Sequence, residues 1–63
     1  MCLSTVYRGE KALQNIVMSN VQRIDLQDDQ ILLTDLMDRQ VVVVGKLLMV
    51  DLVGGTAIVQ EAE

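Results

Sequence analysis

Apolar segments of four to eight residues, rich in Val, Ile and Leu and separated by polar or glycine-containing breaks, follow one another along the whole chain. That spacing constrains the fold more than any other feature, because it leaves room for short strands and tight turns but not for a helix of several turns. Cys2 to Tyr7 forms the first segment and ends at Arg8-Gly9-Glu10-Lys11, which reads as a turn. Ala12 to Met18 precedes Ser19-Asn20, and Val21 to Leu26 alternates Ile24 and Leu26 with Arg23 and Asp25, the period-two pattern of a strand with one dry face. Gln27-Asp28-Asp29-Gln30 is a polar hairpin loop, since Asp tolerates turn conformations. Ile31 to Leu36 is the next strand, closed by Met37-Asp38-Arg39-Gln40.

The four β-branched residues Val41 to Val44 resist a helix. Lys46 to Val53 is read as a strand, although Leu47, Leu48 and Val50 also fit a short helical turn. Val53-Gly54-Gly55-Thr56 signals a two-residue hairpin, Ala57 to Gln60 pairs back, and Glu61-Ala62-Glu63 is expected to fray. The competing reading is a helix over Ala12 to Met18, where Leu13, Ile16 and Val17 stand at helical spacing. The expected fold is all-β: a small, strongly bent antiparallel sheet or open barrel of about six short strands.

A 63-residue chain without a Pro-, Gly- or Ser-rich stretch holds one domain, residues 1–63. So small a domain is commonly reinforced by a disulfide, a metal or self-association. A single cysteine excludes an internal disulfide, and 51% apolar residues without Trp or Phe favour sharing apolar surface between subunits. Unpaired sheet edges would offer a second route to a homodimer.

Composition also excludes functions. With no His, the commonest general base, the usual triads and most zinc sites are gone, and no enzyme can be assembled from the remaining side chains. The net charge of −4 and the lone aromatic, Tyr7, give a poor surface for phosphate backbones or stacked bases, so nucleic acid is not an expected partner. No segment approaches the ~20 apolar residues of a membrane span, and no basic-then-apolar leader is visible. A lone thiol with no signal suits the cytoplasm.

Asp28-Asp29 reads as a solvated loop, and Asp35 with Asp38 lacks the further oxygen ligands of a calcium loop. Gly54-Gly55 lacks the Lys-Ser or Lys-Thr of a phosphate loop, and Met1, Met18, Met37 and Met49 are scattered as adaptable core filler. Cys2 remains. A cysteine in a strand is usually a small buried hydrophobe, but removal of Met1 would leave Cys2 with a free amine beside its thiol, and the two close a five-membered chelate ring. A thiolate with nitrogen in a tetragonal or square-planar arrangement points to Ni(II) or Cu(II). Two chains about a twofold axis would supply an N2S2 set; with Met1 retained, its amine and the intervening backbone nitrogen would serve instead.

The opening Met1-Cys2-Leu3, the strand ending at Val6-Tyr7, and the segments Val21-Gln22-Arg23-Ile24, Leu33-Thr34-Asp35-Leu36-Met37 and Val50-Asp51-Leu52 together resemble the CooT family, nickel-binding accessory proteins of carbon monoxide dehydrogenase maturation. The resemblance spans nearly the whole chain and departs at Met37-Asp38, where an aromatic followed by Gly is frequent. It implies a β-rich homodimer, a nickel metallochaperone binding Ni(II) at Cys2, with carbon monoxide dehydrogenase, another nickel enzyme or a further maturation factor as partner. The alternatives are a small RNA-binding barrel, a label the family also carries, and a metal-free protein-interaction module.

Overall fold

The computed structural model describes residues 3–62. Five strands make a closed barrel in the order β1-β2-β3-β4-β5: β1 Ser4–Arg8, β2 Ile16–Leu26, β3 Gln30–Asp35, β4 Gln40–Asp51 and β5 Thr56–Glu61. The all-β class is the expected one. The helical pattern near Leu13 survives only as a 3-10 turn over Leu13–Asn15, after which the β-branched Ile16 and Val17 begin β2.

Five strands form where about six were expected, because the seven apolar segments of the sequence include two pairs that fuse. The segments before and after Ser19-Asn20 are one strand, bent at Asn20, whose φ of 55° lies in the left-handed region that Asn tolerates. β2 changes partner across this bend, pairing with β1 through Ile16, Met18 and Val21 and with β3 from Val21 to Leu26. The Val41 to Val44 and Lys46 to Val53 segments likewise join through Gly45, where β4 passes from β3 to β5. A Cβ at residue 45 would overlap the Gln60 carbonyl oxygen, so only glycine lets the two backbones come this close.

The sheet is not open. β1 pairs with β5 in parallel, Thr5 to Arg8 opposite Thr56 to Val59, and thereby joins the two ends of the sequence. Closure removes the free edges of β1 and β5 as a route to association. The expected fraying also stops short, because Glu61 belongs to β5 and the Ala62 N–H donates to the Val44 carbonyl at 2.8 Å. Four residues, Leu52 to Gly55, make the β4–β5 turn instead of two; the Gly54 N–H donates to Asp51 Oδ1 at 2.9 Å and opens the turn from its own strand end.

Val6, Val21, Ile31, Leu33, Val43, Ala57 and Val59 fill the interior, drawn from all five strands. Alternation explains the selection within the Val run, since Val43 points inward while Val42 and Val44 are exposed. Each larger core side chain contributes about 1.5–3 kcal/mol by leaving water. Among the described residues no buried side-chain N or O lacks a hydrogen-bond partner.

Candidate functional site

Cys2, the residue singled out for metal binding, lies outside the described residues. What the structure defines is the place where the chain joins the barrel. Ser4 pairs with Val21 of β2, and the Thr5 N–H donates to the Gly55 carbonyl at 2.9 Å. Gly55 has φ 66°, and a Cβ there would stand 3.2 Å from the Leu3 carbonyl oxygen. A glycine in the β4–β5 turn thus makes room for the N-terminal segment. The Gly54-Gly55 pair was legible as a turn; its service to the other end of the chain was not, since 50 residues separate the two.

Beside Ser4 the barrel mouth opens into a groove of about 340 Å³ between the second halves of β2 and β4. Ile24 and Leu47 reach from it into the core cluster, whereas Leu26, Val50 and Leu52 pass outward into solvent, Leu26 63% and Leu52 76% exposed. The one charged residue in its lining, Arg23, is held by Asp25, with Nε 2.9 Å from Oδ2. Sequence reasoning missed this groove, because the alternation that identified β2 and β4 as strands does not say which strand ends overhang their neighbours.

The other carboxylates do not form a metal centre. Among the described residues, no group of three or more His, Cys, Asp or Glu converges as a metal site. Asp35 is buried under the β3–β4 turn, where Oδ1 accepts the Met37 and Arg39 N–H groups, both at 2.9 Å, and Oδ2 accepts Arg39 Nε at 2.7 Å. Asp38, at φ 63°, continues the same turn and its Oδ1 accepts from Gln22 at 3.3 Å. Asp35 and Asp38 therefore organise a turn, and Asp28 and Asp29 lie in the exposed β2–β3 loop. Burial raises the Asp35 pKa, but the Arg39 and Met37 hydrogen bonds and the guanidinium charge outweigh it and hold the carboxyl below its ordinary value.

A second, polar cleft of about 530 Å³ on the β2-β3-β4 wall is lined by residues including Gln22, Asp25, Thr34, Asp38 and Gln40. Its arginine is again Arg23, already paired with Asp25. Arg8 is paired with Glu61 and Arg39 with Asp35, so all three arginines face carboxylates. Tyr7 stands on β1, away from the cleft. Among the described residues, no helix is long and apolar enough to cross a membrane.

Among known families, the model described as "CO dehydrogenase accessory protein CooT" matches residues 1–60 of the 63. No curated protein matches the chain. A match of this extent takes in the N-terminal Met1-Cys2, all five strands up to Gln60 and every turn between them: the chain belongs to the CooT family of carbon monoxide dehydrogenase accessory proteins.

Proposed function

We propose that this chain binds Ni(II) as its cargo through Cys2, at a site shared by two copies, and delivers it during maturation of a nickel enzyme, with carbon monoxide dehydrogenase as the recipient. The observation that carries the reading is the family match, which begins at residue 1 and so includes Cys2 itself. The absence of a competing ligand cluster among the described residues supports it.

With Met1 removed, the Cys2 amine and thiolate form a chelate on each chain, and two such pairs complete four-coordinate nickel. Cargo held by a few ligands at a chain terminus is accessible for transfer. The cytoplasm keeps the thiol reduced and available. Copper would bind such a donor set more tightly than nickel in vitro, so the supply of metal in the cell sets the cargo.

Native mass spectrometry of the metal-free protein titrated with Ni(II), beside Cys2→Ser, tests the reading and also shows whether Met1 is present. One Ni per two chains, lost in Cys2→Ser, is the expected result. Equal binding by both proteins overturns it, and no specific Ni on either leaves a protein-interaction module. Binding should weaken as pH falls, because thiol and amine, with ordinary pKa values of about 8.5 and about 7.7–8.0, must both lose protons.

A further inference from the structure

We propose that the polar cleft on the β2-β3-β4 wall receives an arginine side chain from a partner protein. The inference is separate from the nickel reading, since it uses neither Cys2 nor a metal. At about 530 Å³ the cleft is large enough for such a group. Ile31 and Leu33 of β3 point into the core, so Leu32 and Thr34 face outward and form the floor. Thr34 stands opposite Arg23 of β2 on one side and Gln40 of β4 on the other. Leu32, two residues earlier on the same strand, continues the floor about 7 Å away. From the β3–β4 turn Asp38 joins the lining, its Oδ1 accepting from Gln22 Nε2 at 3.3 Å.

Two groups in this cleft have bonding capacity to spare. Thr34 is only 6% exposed, yet its hydroxyl takes part in a single long contact, accepting from Gln40 Nε2 at 3.5 Å. Buried hydroxyls are ordinarily better paired than this. Of the two carboxylates in the lining, Asp25 holds Arg23 through Nε and Nη2 at 3.1 and 3.0 Å. Among the described residues Asp38 meets no cation, so the cleft keeps one uncompensated negative charge.

This combination selects the ligand. An anion finds no unpaired cation in the lining, whereas a cation finds Asp38 with the Thr34 hydroxyl and the Gln22 and Gln40 carbonyls as further acceptors. Arginine fits the set better than lysine, because its planar fork offers N–H groups to a carboxylate and to neighbouring oxygens at once. With the guanidinium at Asp38 and Thr34, the aliphatic stem lies along Leu32. The arginine comes from another protein, since this chain's own three are engaged by Glu61, Asp25 and Asp35. A chain of formal charge −4 also attracts basic partners.

The test is an NMR titration of the isotope-labelled full chain with the blocked peptide acetyl-Gly-Arg-Gly-amide, beside its glutamine counterpart. The arginine peptide should shift the Thr34, Asp38 and Gln40 amides saturably, and the glutamine peptide should not. Asp38→Asn removes the charge with a residue that tolerates the φ of 63°, so the turn is kept. Thr34→Val removes the hydroxyl and keeps the strand shape. Both variants should retain wild-type circular dichroism and bind the arginine peptide about fivefold more weakly, or worse. Asp28→Asn, in the exposed β2–β3 loop, should bind as wild type does. Equal shifts with both peptides, shifts centred away from the cleft, undiminished binding by Asp38→Asn, or an equal loss in Asp28→Asn overturns the proposal.

Discussion

Under the β3–β4 turn, Asp35 stays ionised against the penalty of burial because two backbone N–H groups and the Arg39 guanidinium converge on it. Its folded pKa lies below the ordinary ~3.9, so the unfolded chain takes up the proton first as pH falls. The stabilisation from this carboxylate is complete above the ordinary value and disappears as pH drops through the folded one. Asp35→Asn should therefore lower the urea midpoint at pH 7, and the gap to wild type should narrow by pH 3. A gap independent of pH would mean that shape, not charge, holds the turn. The exposed pair Arg8–Glu61 belongs to another class, since ion pairs of this kind contribute about 1 kcal/mol at most.

At the scale of elements, β2 and β4 carry the architecture because each serves two neighbours in succession. Asn20 bends the first with its positive φ, and Gly45 lets the second change partner. Gly45→Ala would push a Cβ into the Gln60 carbonyl, a backbone atom that cannot swing aside. Its cost should reach the upper end of the about 1–3 kcal/mol typical of overpacking, whereas Val44→Ala next to it should cost less than about 1 kcal/mol. Equal effects in urea denaturation would show that β4 passes residue 45 without the close approach. The run Val41 to Val44 identified a strand, but nothing in it said that the strand continues to Asp51. Bends at single residues read like turns in a sequence, which is why two strands were counted as four segments.

For the whole molecule, parallel pairing of β1 with β5 links residues some fifty positions apart and encloses one small core. Leu33 is fully buried in it. Leu33→Ala should cost about 2–5 kcal/mol, against a total stability of roughly 3–9 kcal/mol for a chain of this length. The variant should lose much of its amide dispersion in NMR at 37 °C; an unchanged spectrum would show that the barrel draws its stability from elsewhere, including a second copy. Contacts this distant in sequence also place folding in the millisecond-to-second range of barrel topologies.

Much of this protein was determined by local chemistry that a sequence displays: β-branched runs favour strands, Asp and Gly mark the turns, and the N-terminal residues carry the family resemblance. Tertiary structure alone decided the closure of the barrel, the seating of Leu3 against Gly55, the pairing of Arg8 with Glu61, and the groove between β2 and β4. Each depends on how far one strand overhangs another. Register and overhang arise from packing between residues remote in the chain, so they become visible only when the strands are assembled.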